Sequence, residues 1–313
     1  MPGSSKIKMP RGITVTEGKR FTWLSVTVPS EKVIAELHRR LPFVLETDLR
    51  ELQPPFQRPK LLERENYLFL VLLFPVEASD GAIRHTEVDF LIGEDFVVTN
   101  HTGDLPELES LARSKDNVCN LAIANTPERL VYHVIHSVLT SRFPLLTRIS
   151  NEILSLEPTM FGQIHEDSLA EVLRLKSQVV DFRKALQGHR QVIAKLSDSR
   201  EVIFGRTDAQ VNYEDVQRHL EEMEGFLEND KDTLDAISTA QMSLMNFRTS
   251  QASQRLSALA FVVFPMTLVA TVFSMRAEHI PLIGNKWDFW IILGLIAITM
   301  AVAAGYLRKH RWL

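Results

Sequence analysis

The chain has 313 residues, with 35 Lys and Arg against 39 Asp and Glu and a net charge of −4. That near-balance excludes the strongly basic footprint of a nucleic-acid binder. Its one cysteine, Cys119, can form no internal disulfide and fits a reducing compartment.

Met1 to Pro10 is short, polar and basic, without the apolar core of a signal peptide. Phe21 to Val28 alternates and is rich in β-branched and aromatic residues, which predicts a strand. Pro29 follows, and Ser30 stands as N-cap of a helix over Glu31–Arg40. A proline-rich loop carries Pro54, Pro55 and Pro59. Tyr67 to Val76 is a near-continuous apolar run, the pattern of a strand buried on both faces. Glu87–Ile92 and Phe96–Asn100 flank Gly93-Glu94-Asp95 and read as a hairpin, and Leu105–Arg113 reads as a helix.

Helical periodicity takes over at Pro127, one residue after the cap Thr126. No proline occurs between Pro158 and Pro265. This stretch predicts an antiparallel helical pair: one helix over Asp167–Phe204, a turn near Gly205–Thr207, and a second helix from Asp208 with no stop signal before Met275. That second helix is about 65 residues and ~100 Å long, and such a helix needs partners along its length.

Two uncharged apolar stretches end the chain, Leu256–Met275 and Phe289–Tyr306. Each has the roughly 18–20 residues that span ~30 Å of hydrocarbon. Arg248 and Arg255 precede the first, and Arg308, Lys309 and Arg311 follow the second, whereas Arg276 and Lys286 of the intervening loop are offset by Glu278 and Asp288. The cationic excess at both outer ends places both termini in the cytoplasm, with Trp287, Trp290 and Trp312 at the interfaces.

The first span is two-sided. Ser250, Ser253, Ser257, Ala260, Phe264, Thr267, Thr271 and Ser274 recur at helical spacing, against Leu259, Val262, Val263, Leu268, Val269 and Val272. Small polar residues in a membrane helix either permit close helix packing or line a wet path. One hairpin cannot enclose a pore, so the second reading requires a ring of subunits.

Further motifs resemble those of the CorA family of divalent metal ion transporters. These are Gln57-Arg58-Pro59-Lys60 followed by Glu65 to Leu70, Val88 to Gly93 with Phe96 to Thr99, Phe264-Pro265-Met266-Thr267, and the basic tail ending Trp312-Leu313. The resemblance implies an α+β fold: a cytoplasmic α/β/α domain, a very long stalk helix continuing into a two-helix transmembrane hairpin, and a homopentameric funnel. Residues 1–140 would be the mixed α/β domain and 141–255 the helical region with the stalk. Residues 256–275 would be the pore-lining span, 276–288 the external loop, 289–307 the second span and 308–313 the basic tail. The implied pore face is Ser250, Ser253, Leu256, Ala260, Phe264, Thr267, Thr271 and Ser274, the stripe already read from spacing. The implied partners are the chain's own copies, the bilayer of the plasma (bacterial inner) membrane and divalent cations, with no cofactor and no enzymatic activity.

The family's external mouth carries Gly-Met-Asn, where this chain has Ser274-Met275-Arg276. Five guanidinium groups ~10 Å from a divalent ion would repel it by ~4 kcal/mol even at the dielectric constant of water. The mouth therefore resembles relatives without that signature, the zinc-transporting branch and the CmaX-like proteins. Glu278-His279 pairs a carboxylate with an imidazole, which suits Zn²⁺ better than Mg²⁺. Zn²⁺ transport is the expectation, beside Mg²⁺ transport on the same fold or a poorly conducting structural or signalling pentamer. His133 and His136 lie at i, i+3 and read as core or surface histidines, since two ligands make no zinc site. Glu221, Glu222, Glu224, Glu228, Asp230, Asp232 and Asp235 make the stalk acidic, which reads as a solvated helix face or a means of concentrating cations.

Overall fold

A computed structural model describes residues 12–55, 57–114, 124–156, 166–204, 213–275 and 287–309. It divides into two units, one ending at Ile237 and one beginning at Ser238.

The first unit is built on one six-stranded sheet. In chain order its strands are β1 (Ile13–Glu17), β2 (Thr22–Thr27), β3 (Lys60–Glu63), β4 (Leu68–Glu77), β5 (Ile83–Ile92) and β6 (Phe96–His101). The sheet order is β1-β2-β6-β5-β4-β3, with β2 and β6 parallel and every other pair antiparallel. The predicted hairpin is present, with Leu91 opposite Val98 and Gly93 in its loop. Strand β4 shows why its sequence does not alternate. Leu68, Leu70, Leu72 and Phe74 enter one core and Phe69 and Val71 the other, so both faces are dry.

Two helical layers cover those faces. On one side lie α1 (Glu31–Arg40) and α2 (Glu46–Glu51), whose Val33, Leu37 and Leu49 pack with Leu24, Phe69 and Leu91. On the other are α3 (Pro106–Ala112), α4 (Pro127–Thr140), α5 (Phe143–Leu156), α6 (Glu166–Leu186) and α7 (His189–Phe204). The start of α8 (Glu214–Ser274) joins them through Val216, Leu220, Met223, Leu227, Leu234 and Ile237. The α/β/α layering expected of this region is therefore present.

Several local expectations change. Ser30 occupies the N-cap of α1 but its side chain makes no cap hydrogen bond, whereas Thr126 accepts from the Arg129 N–H at 3.3 Å. The helix expected over Asp167–Phe204 is two helices. Gly188 separates them at φ +91°, a conformation an L side chain rarely adopts, and lies 3.7 Å from the Pro59 ring as measured from an ideal Cβ. His189 then fastens the break to the sheet: its Nε2 accepts the Leu73 N–H at 3.2 Å and its Nδ1 donates to the Leu186 carbonyl at 3.0 Å. β1, β3 and α2 are additions to the sequence reading. The expected turn at Gly205–Thr207 lies outside the described residues.

The second unit holds the rest of α8 and α9 (Asp288–Lys309). Both are long and apolar enough to cross a membrane. Among its described apolar residues only Ala258, Ala303 and Leu307 are buried. Phe261 stacks on Tyr306 with ring centroids 5.8 Å apart, joining α8 to α9.

Candidate ion-conduction helix

The C-terminal half of α8 is continuous through Pro265, a residue with no N–H to give the carbonyl one turn back. Its exposure is uneven. Ala258 is buried and Val262, Pro265, Val269 and Phe273 are half-buried. At about 100° per residue these five fall on one line. Ser250, Ser253, Leu256, Phe264, Thr267, Thr271 and Ser274 are all exposed, and Ala260 is half-buried. The same arithmetic sets this stripe roughly opposite the shielded line. Phe264 and Leu256 are 73% and 67% exposed, so the two largest apolar members of the stripe are mostly uncovered by their own chain.

The three hydroxyls at the C-terminal end of the stripe share one arrangement. Thr267 Oγ1 donates to the Phe264 carbonyl at 2.9 Å, Thr271 Oγ1 to the Thr267 carbonyl at 2.7 Å, and Ser274 Oγ to the Thr271 carbonyl at 3.1 Å. Each hydroxyl proton is thus committed to the helix backbone, which leaves the oxygen's lone pairs to face outward as acceptors. A hydrated cation points its water protons away from itself. A row of acceptor-only oxygens therefore matches its hydration shell, while the shell of an anion presents the wrong end of each water.

Beyond Ser274, Met275 is exposed. Arg276, Glu278 and His279, the expected mouth and loop site, lie outside the described residues.

The acidic segment of α8 is partly matched by cations. Glu221 pairs with Arg190 at 2.8 Å, Glu228 with Arg183 at 2.7 Å and Lys231 at 3.0 Å, and Asp235 with Lys176 at 2.6 Å. Asp230 is buried, which pushes its carboxyl above the usual range, and it accepts from Ser150 Oγ at 2.6 Å. These pairs fasten α8 to α5, α6 and α7, so much of the acidic segment is structural. Among the described residues no group of three or more His, Cys, Asp or Glu is arranged to hold a metal. One meeting escapes sequence reading: His136 of α4 lies beside His219 of α8 at 5.1 Å between ring centroids. No local pattern connects residues so far apart in the chain.

An α/β/α unit followed by two C-terminal apolar helices, the first of them the end of one very long helix, is the build of a two-span membrane transporter rather than an enzyme. The sequence matches the family described as CorA-like Mg²⁺ transporter protein over residues 18–309, and the chain belongs to that family. It is 22% identical over 301 residues to the cobalt/magnesium transport protein CorA of Thermotoga maritima, covering 93% of this chain and 83% of that one. It is 24% identical over 177 residues to the zinc transport protein ZntB of Yersinia pseudotuberculosis, covering 56% of this chain and 52% of that one. The fold matches the complete structure of the CorA magnesium transporter from Methanocaldococcus jannaschii with a TM-score of 0.82 at 16% identity, covering 100% of this chain and 95% of that one.

Proposed function

We propose that this chain moves divalent metal cations across the bacterial inner membrane through a pore made by five copies of α8. The observation that carries this reading is the uncovered hydroxyl stripe, set opposite the shielded line of the same helix. Copies arranged around an axis would bring Thr267 and Thr271 together as rings of acceptor oxygens, and Leu256 and Phe264 as apolar constrictions. Neutral oxygens hold a hydrated ion weakly enough to let it leave. This reading calls for no cofactor. Both termini lie in the cytoplasm in this reading, supported by the cationic residues outside the two spans.

Zn²⁺ is the favoured cargo over Mg²⁺ and Co²⁺. Support comes from Arg276 in place of the family's mouth asparagine, from Glu278-His279 in the loop, and from the zinc transport protein among the relatives. The test is uptake of Zn²⁺, Mg²⁺, Co²⁺ and Ni²⁺ into proteoliposomes carrying ion-sensitive dyes, for the wild type and Arg276→Asn. Zn²⁺ flux should exceed Mg²⁺ flux in the wild type, and Arg276→Asn should raise Mg²⁺ flux selectively. Equal Mg²⁺ flux in both proteins would remove Arg276 from the selectivity argument. No flux of any divalent ion would leave a non-conducting pentamer.

A further inference from the structure

The base of α8 is held to α4 by a cluster of rings in which two imidazoles face each other. His136 and His219 are 5.1 Å apart with ring planes at 73°. Tyr132 stacks on His136 at 5.8 Å, Tyr213 meets Tyr132 edge-on at 5.8 Å, and Phe143 of α5 meets His219 at 5.9 Å. His133 lies one turn before His136 on α4. The charged groups acting on the cluster are on α8. Asp215 bonds Tyr132 and ion-pairs with Arg218, and its charge also reaches His136. The ring that α5 contributes, Phe143, carries no charge.

We infer that His136 and His219, with His133 beside them, form a proton-operated latch between α4 and the first turns of α8. Neutral imidazoles keep the ring cluster closed. Protonation sets like charges a ring's width apart, and among the described residues the carboxylate whose charge reaches His136 is that of Asp215, already shared with Arg218 and Tyr132. The first turns of α8 then loosen from α4. Because α8 runs unbroken from Glu214 to Ser274, a change at its base acts on the helix that carries the hydroxyl stripe.

The direction in pH follows from the same environment. Burial, and then His219, hold the His136 imidazole below the usual histidine range, and burial, and then His136, do so for His133. A histidine whose folded-state pKa is depressed contributes stability above its unfolded pKa of ~6.5 and loses it as pH falls through the folded value. Acidification therefore opens the latch and alkaline conditions close it. A proton is favoured over a metal as the trigger, because no trio of ligands is arranged to hold one among the described residues.

The test is hydrogen exchange of the full-length, detergent-solubilised protein, read as protection factors for peptides covering residues 214–225 at pH 7.5 and pH 5.5. The wild type should lose protection there severalfold on acidification, up to the roughly tenfold limit set by one proton taken up at an unfolded pKa of ~6.5, while β4 and β5 keep theirs. His136→Gln removes the imidazole held below the usual range, and His219→Phe removes the imidazole facing it while keeping its packing. Either variant should stay near wild-type protection at pH 7.5 and lose most of the pH response. An equal response in the wild type and both variants, or no response in the wild type, overturns the latch. A response abolished by a chelator overturns it in favour of a bound metal. The link from latch to transport rests on the conduction reading, so pH-dependent flux is measured separately. Intact exchange behaviour with no flux would sink the conduction reading alone.

Discussion

Phe69 and Phe264 are the same side chain in opposite circumstances. Phe69 on β4 is fully buried, whereas Phe264 on α8 is 73% exposed. The contrast holds region by region. In the first unit helices cover both faces of the sheet, and the apolar residues of β4, β5 and β6 are removed from solvent by the chain itself. In the second unit Leu256, Leu259, Leu268, Ile298 and Val302 are each more than 60% exposed. A soluble surface of that kind would aggregate, so the second unit is suited to a lipid surrounding. The first unit is specified by its own packing, and the second by its surroundings.

The sharpest way to break this comparison is to truncate one large side chain in each region. Trp23 is fully buried and its Nε1 donates to Thr99 Oγ1 at 3.0 Å. Trp23→Ala should cost the first unit about 3–5 kcal/mol in denaturant unfolding, through the cavity and the orphaned threonine. Phe264→Ala should shift the same transition by less than about 0.5 kcal/mol while altering flux. If both variants destabilise the first unit alike, the regions are not independent.

A smaller effect comes from Asp48, which is 1% exposed. Burial raises its pKa, but hydrogen bonds from Arg64 and Tyr67 outweigh this and hold it below the usual carboxylate range. Arg64 grips both oxygens, at 2.8 and 2.7 Å, and Tyr67 Oη donates at 2.7 Å. Arg64→Ala leaves a buried carboxylate with one bond fewer on each oxygen and should cost about 2–3 kcal/mol at pH 7. The deficit should shrink as pH falls and the carboxyl takes up a proton. A constant deficit from pH 7 to pH 4 would show that lost packing, not charge, is responsible.

His189 gives the third effect and its sign is opposite to that of a salt-bridged histidine. It is fully buried and held neutral by two backbone partners, with its pKa pushed down to about 4, mainly by burial. The unfolded chain binds the proton first, so stability falls as pH drops below ~6.5 and stops falling near the folded value, a total on the order of 3 kcal/mol. His189→Gln should be less stable at pH 7.5 but show a shallower slope between pH 6.5 and pH 4. An unchanged slope would assign the acid sensitivity to other groups.

What could be read from the sequence, and what could not, follows the same division between local and distant causes. The doubly buried β4, the hairpin around Gly93 and the Thr126-Pro127 helix start are each written in a few adjacent residues, and the structure has them. β1 and β3 are edge strands of five and four residues, and the sequence reading missed them although Ile13-Thr14-Val15-Thr16 alternates and is β-branched. The break at Gly188 was hidden because a lone glycine in a helical pattern is tolerated, and what fastens the break is the bond of His189 to Leu73, more than a hundred positions away. On the candidate pathway, the spacing of Thr267, Thr271 and Ser274 shows a stripe. Its position opposite the shielded line, and the commitment of each hydroxyl proton to a backbone carbonyl, needed the structure.

Thr271 offers the finest test of the contrast, because one substitution there separates stability from conduction. Its Oγ1 donates to the Thr267 carbonyl at 2.7 Å, and that carbonyl has helical partners of its own. Thr271→Val keeps the shape and deletes the oxygen, so thermal stability should change by no more than about 0.5 kcal/mol. The lost acceptor is a different matter for a hydrated cation, since five copies would replace a ring of oxygens with a ring of methyl groups. Divalent flux should fall at least severalfold in Thr271→Val and stay near wild type in Thr271→Ser, which restores the oxygen. Wild-type flux in Thr271→Val would mean that the ions pass elsewhere, and that the stripe serves only to let helices approach.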